Sequence, residues 1–178
     1  MYHQSKNSII ILFDWENLSF DDLYDLCKTL HIKNIRWLAI HHPDNKTREN
    51  LYRLSNVEVG KKTTINMGLF IHSMKKMVFI GSNCALAANI SLIPESNPNL
   101  SELKDLSIIK EHYIKEGNII IEDHCWIGAG VIIFPGVTIG HHSVIGAGTI
   151  VTRSMPAYSI VKGQPGKVVK TINFSGVI

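Results

Sequence analysis

The sequence predicts a mainly β protein, a three-sided coil of short parallel strands with a mixed N-terminal cap and one long helical loop. Three observations predict it. Aliphatic residues recur every six positions in Val59, Ile65 and Ile71, in Ile80, Leu86 and Leu92, and in Ile121, Ile127, Ile133, Ile139, Ile145 and Val151. A glycine or alanine follows many of these anchors, at Gly60, Gly81, Ala87, Gly128, Gly140 and Gly146. None of the 13 glycines precedes Gly60 and ten lie from Gly117 onward, so the chain has two compositional halves.

A spacing of six matches neither a helix face at 3.6 nor a lone amphipathic strand. Three such hexads close a triangular turn in which each contributes one short strand and a corner, the anchor points inward, and turns stack at roughly 4.8 Å. Small residues after the anchors suit tight corners. The blocks opening at Val59, Ile80, Ile121 and Ile139 are then four successive turns.

Along the chain, residues 1–58 read as an α/β cap. Its elements are a strand-like run at Ile9–Phe13, a helix opening at Ser19, a strand-like run at Asn34–Ile40 and a short helix at Lys46–Leu54. Ser19 can cap the amides ahead of Asp21 and Asp22, and Leu23, Leu26, Cys27 and Leu30 form one apolar stripe. Residues 59–170 form the coil, interrupted by an excursion over 94–118 in which Leu103, Leu106, Ile109 and Tyr113 trace a helical stripe with His112 on its polar flank. Loops of this length inside compact domains are commonly functional. Residues 171–178 are a tail. Val131, Ile132 and Phe134 are expected on a flat outer face that needs a partner or a covering loop.

Composition narrows the function. A chain of 178 residues is one domain by length, and a net charge of +3 with 19% charged residues is neither a disordered tail nor a nucleic-acid coat. Three cysteines, Cys27, Cys84 and Cys125, form no disulfide framework and no metal-ligand spacing, as expected of a cytoplasmic protein that holds no metal. The apolar run Ser8–Phe13 is too short to span a membrane, and no export leader is expected. No acidic residue follows Asp123, whereas Arg153, Lys162, Lys167 and Lys170 do, a local potential that favours an anionic ligand.

The motifs W-I-G-A-G at Trp126–Gly130, P-G-V-T-I-G at Pro135–Gly140, I-G-A-G at Ile145–Gly148, V-T-R at Val151–Arg153 with Pro156, and G-Q-P-G-K-V-V-K at Gly163–Lys170 follow one another in order. This set resembles the hexapeptide-repeat acyltransferases, in particular the galactoside, maltose and polysaccharide O-acetyltransferases. The resemblance implies a left-handed parallel β-helix, a homotrimer with sites between neighbouring chains, acetyl-CoA as acyl donor and a sugar or polysaccharide-precursor hydroxyl as acceptor. It places Trp126 beside the reaction site, Ala129, Ala147 and Thr152 along the pantetheine arm, and Arg153, Lys167 and Lys170 near the coenzyme phosphates.

Acetyl transfer to a hydroxyl needs a base. In the family that base is the histidine of a His-Pro pair, which falls here on Asn97 and Pro98. An amide can orient a hydroxyl but not accept its proton. His112, in the excursion, is the leading replacement, with Asn97 orienting the acceptor. Glu95 and His72 are weaker candidates, and His124, His141 and His142 fall at corners where surface roles are expected. Two other readings stay open: a catalytically impaired or noncatalytic binding member of the same fold, and a carbonic anhydrase, for which the histidines lack the paired spacing.

Overall fold

The described part of the computed structural model runs from residue 18 to residue 173, so the strand-like run at Ile9–Phe13 and the end of the tail lie outside it. Three helices come first. Helix α1 (Phe20–Cys27) is capped by Ser19, whose hydroxyl accepts from the Asp22 amide at 3.2 Å, and it buries Leu23 and Cys27. Helix α2 (Ile32–His41) replaces the strand expected over Asn34–Ile40. Ile35, Leu38 and Ala39 lie at helical spacing and are buried together, and the His31 ring accepts from the Lys33 amide at 3.2 Å to cap the start. Helix α3 (Asn45–Leu54) starts at Asp44, which accepts from the Thr47 amide at 2.7 Å.

The chain then coils. Strands β1 (Val57–Val59), β2 (Thr64–Ile65) and β3 (Phe70–Ile71) make the first turn. The second holds β4 (Val78–Ile80), β5 (Ala85–Leu86) and β6 (Ser91–Leu92). The third holds β9 (Ile119–Ile121), β10 (Trp126–Ile127) and β11 (Ile132–Ile133), and the fourth β12 (Thr138–Ile139), β13 (Val144–Ile145) and β14 (Ile150–Val151). Successive strands join three different sheets, β1-β4-β9-β12, β2-β5-β10-β13 and β3-β6-β11-β14, and pair in parallel with the strand one turn away. The second sheet continues into β15 (Ser159–Lys162), on which β16 (Lys167–Thr171) lies antiparallel.

Of the twelve anchors, eleven are buried and Val59 is half-buried. Corner residues follow the same vertical logic. Leu69, Ile90, Val131 and Thr149 form an inward column linked by Phe70 N–H to Ile90 O, Ser91 N–H to Val131 O and Ile132 N–H to Thr149 O, each at 2.8 to 3.0 Å. Val131 is therefore core and not an outer-face residue; Ile132 and Phe134 are half-buried. At another corner, a buried column of small polar residues reaches one turn onward. Thr63 donates to Gly81 O at 2.6 Å, Cys84 to Glu122 O at 3.1 Å, Cys125 to Gly140 O at 3.3 Å and Ser143 to Pro156 O at 3.2 Å. Hydrogen bonding to Cys84 and burial hold the Cys125 thiol above its ordinary pKa, so it is a structural donor and not a nucleophile.

The excursion leaves after β6 and returns before β9. A two-rung antiparallel hairpin, β7 (Glu95–Ser96) with β8 (Lys115–Glu116), ties its foot, and Gly117 N–H donates to Pro94 O at 2.9 Å across the base. Beyond the foot the expected helix is two short pieces, a 3-10 turn at Glu102–Asp105 and α4 (Ser107–His112). Leu103, Leu106 and Tyr113 are exposed and Ile109 is half-buried, so most of the stripe is open to solvent among the described residues.

Arginines join cap to coil. Arg36 is buried and donates to Ser55 Oγ at 3.1 Å, Ile71 O at 3.3 Å, Ser73 O at 2.9 Å and Ser55 O. Arg48 donates to Ile65 O at 2.7 Å, and Tyr52 to Leu69 O at 2.7 Å. Each reaches a carbonyl of the first turn, which has no strand below it among the described residues. Replacing Arg36 by Met leaves several buried carbonyls without a donor, and we expect a loss of about 2–4 kcal/mol in urea unfolding. An unchanged midpoint would show that the cap is held by its apolar face alone.

Candidate active site

In-register stacking turns sequence positions into columns. One step beyond the third-sheet anchors, His72, Ile93, Phe134 and Thr152 form such a column, linked by His72 N–H to Leu92 O at 2.9 Å, Ile93 N–H to Ile133 O at 2.9 Å and Phe134 N–H to Val151 O at 3.0 Å. The excursion springs from this column after Ile93 and opens a cavity on each side of its foot. A cavity of about 490 Å3 is lined by Ser96, His112, Tyr113, Lys115, Phe134, Pro135 and Thr152. Another, of about 370 Å3, is lined by His72, Ile93, Glu95, Ser96, Asn97 and Asn99.

His112 and Asn97 thus line different cavities that share Ser96. His112 ends α4 with its side chain 62% exposed, and its ring nitrogen lies 4.0 Å from Glu111 of the same helix. Asn97 spends its side-chain oxygen on the Asn99 amide at 2.9 Å. His72 shares the cavity of Asn97 and Glu95. The usable signal was the 21-residue step from Ile71 to Leu92, which seats His72 beneath Ile93, two residues from Glu95. A hydrogen bond from Ser73 holds the Glu95 carboxyl below its ordinary pKa, helped by Lys75, whose ammonium is 3.3 Å away and also binds Glu116 at 2.7 Å.

The remaining residues lie higher on the coil. Trp126 opens β10 between Ala85 and Val144 and is 60% exposed. Ala129 and Ala147 are exposed and stacked at the next corner, where Gly148 N–H donates to Ala129 O at 2.8 Å. Side chains are small here because the turns touch: a Cβ on Gly128 would meet the Ala147 nitrogen at 2.5 Å. Arg153 follows Thr152, and Lys167 and Lys170 project from β16, all three exposed. A small-residue corner therefore leads toward a basic end, while Trp126 and Thr152 lie on different sheets.

Comparison with known proteins agrees with this geometry. Residues 118–153 match the family model described as the hexapeptide repeat of succinyl-transferase. Galactoside O-acetyltransferase of Escherichia coli K12 is 38% identical over 119 residues, covering 67% of this chain and 56% of that protein. In sequence and fold the chain is similar to the hexapeptide-repeat acyltransferases. A solved galactoside acetyltransferase in complex with coenzyme A superposes with a TM-score of 0.58 at 28% identity, covering 80% of this chain and 79% of the other. A maltose O-acetyltransferase from Clostridium difficile 630 gives 0.60 at 25% identity, covering 80% and 84%. The chain spans about half the length of the curated relatives it matches.

The coil carries an imidazole cluster at another corner. His124, His142 and Tyr158 stack vertically, with ring centroids 4.5 Å and 5.3 Å apart, each at positive φ. His141 meets His142 through their Nδ1 atoms at 3.0 Å, so one of the two nitrogens must be unprotonated. His124, His141 and His142 line a cavity of about 550 Å3 with Glu122 and Asp123. Among the described residues no three His, Cys, Asp or Glu side chains converge as a metal site, and no helix is long and apolar enough to cross a membrane.

Desolvation, then the neighbouring His124 and His141, push the His142 pKa down. Its folded value lies below its unfolded one, so as pH falls through about 6.5 the unfolded chain takes up the proton first and stability drops. Asn83 holds the equivalent corner one turn below His124 with φ 57°, so His142→Asn fits the backbone. We expect that variant to lose less stability than the parent between pH 7.5 and pH 5 in urea titrations. Equal losses would show that the stack does not disfavour the imidazolium.

Proposed function

We propose that the protein is an acetyl-CoA-dependent O-acetyltransferase that acts on the hydroxyl of a sugar or polysaccharide precursor. The observation that carries this reading is the alignment of the exposed Ala129–Ala147 corner and Thr152 with the basic end formed by Arg153, Lys167 and Lys170, on a fold whose solved relative was crystallised with coenzyme A. Small side chains leave strand backbone open to the amides of a pantetheine arm. The cations supply charge-assisted bonds to its phosphates. Trp126, on the adjoining sheet, offers an apolar wall beside the acyl group.

The same reading takes residues 59–170 as a left-handed β-helix carrying the excursion 94–118, with residues 1–58 as its cap. It takes the assembly as a homotrimer, consistent with the exposed stripe of Leu103, Leu106 and Tyr113 and with Trp126 and Thr152 lying on different sheets of one chain. Neighbouring chains would then complete the donor groove. His112 adjoins the donor side through Thr152, and Asn97 adjoins the acceptor side, where its amide orients a hydroxyl.

Calorimetry tests the donor half. Coenzyme A and acetyl-CoA bind with an affinity that falls as salt rises, and Arg153→Ala or Lys170→Ala weakens binding about three- to tenfold, as for loss of a partly exposed phosphate contact. Heat-silent titrations with both coenzymes would remove the proposal.

A further inference from the structure

We infer that His72, not the excursion's His112, is the general base for the acceptor hydroxyl, with Glu95 as the carboxylate that stabilises the imidazolium formed. This rests on the acetyl-transfer reading and extends it to a residue of the first turn. In the step proposed, the acceptor oxygen attacks the thioester carbonyl, a C–O bond forms and the C–S bond breaks. The hydroxyl proton passes to the His72 ring and from there to the departing thiolate, leaving an acetyl ester and free coenzyme A thiol.

Three observations favour His72. The first is rigidity: its backbone is pinned to the coil by the 2.9 Å bond to Leu92 O, whereas His112 sits at the end of a six-residue helix that has no side-chain cap. The second is charge. Glu95 lines the same cavity as His72, so a carboxylate stands in the cavity where the imidazolium would form on proton transfer.

The third is direction. With the coenzyme phosphates at the basic end near Arg153 and Lys170, the arm runs from Thr152 toward the first turns, crossing the foot of the excursion between the His112 and His72 cavities. Three strand spacings, roughly 14 Å, separate Thr152 from His72, so the thioester is delivered toward the first turns and away from the phosphates. Asn97 and Asn99 line that end and can hold the acceptor by its hydroxyls.

The test compares His72→Gln, Glu95→Gln and His112→Gln in thiol-release assays with acetyl-CoA and a panel of mono- and disaccharides, with coenzyme A calorimetry on each protein. His72→Gln should lower kcat about 100-fold or more, leave coenzyme affinity unchanged and remove the acidic limb of the pH profile of kcat/KM. Glu95→Gln should lower kcat about tenfold at unchanged coenzyme affinity. His112→Gln should raise the KM for acetyl-CoA with kcat within about threefold of the parent. Retention of kcat by His72→Gln, transfer of the large kcat loss to His112→Gln, or a parent that binds coenzyme A but releases no thiol with any acceptor would overturn the assignment. A parent that binds no coenzyme A would instead overturn the transferase reading beneath it, and the assignment with it.

Discussion

The vertical hydrogen bonding of one turn onto the next is the constraint from which the rest follows. Because each strand pairs in parallel and in register with the strand one turn away, every position in the hexad becomes a column running along the axis. Inward columns are chosen for volume, and outward ones are free to carry chemistry. The aliphatic anchors fill the interior, yet the polar column from Thr63 to Ser143 is equally buried, because each of its donors finds a corner carbonyl one turn onward. Burial of a hydroxyl or thiol costs little when its bond is supplied by the same repeat that buries it.

A stack of this kind has two ends, and each exposes unpaired strand edges. Here the first end is closed by long cationic side chains instead of by another strand. Arg36, Arg48 and Tyr52 reach from α2 and α3 to carbonyls of the first turn, while Asn45 accepts from the Ile65 amide at 2.8 Å. Burial lowers the pKa of both arginines without neutralising them, since a guanidinium stays charged at any ordinary pH. At the other end β16 folds back antiparallel and carries Lys167 and Lys170 on an exposed edge, so its closure is also the basic surface.

Much of the coil was legible because a six-residue period has few alternative solutions, and eleven of its twelve anchors are buried. Helix α2 was misread because Ile35, Leu38 and Ala39 are embedded among other apolar residues, so short-range hydrophobicity suggested a strand where helical spacing decided. Val131 was placed outside because corner residues do not follow strand alternation; its column with Leu69 and Ile90 points inward. In the candidate site, motif order located the small-residue corner and the basic end. The pairing of His72 with Asn97, and the separation of Asn97 from His112, needed the foot of the excursion, because no local pattern fixes which side of a hairpin a residue faces.

That foot has one more implication. Pro94 and Gly117 meet through a single backbone bond, and the strands on either side stack as if nothing intervened, with Ile80 under Ile121 and Leu92 under Ile133. The strand stacking thus does not depend on the lasso of residues between them, which Lys75 ties down at its foot through Glu95 and Glu116, so beyond the foot its length and composition can drift without disturbing the framework. A lineage built this way can rewrite one insert while the framework that carries it stays as inherited.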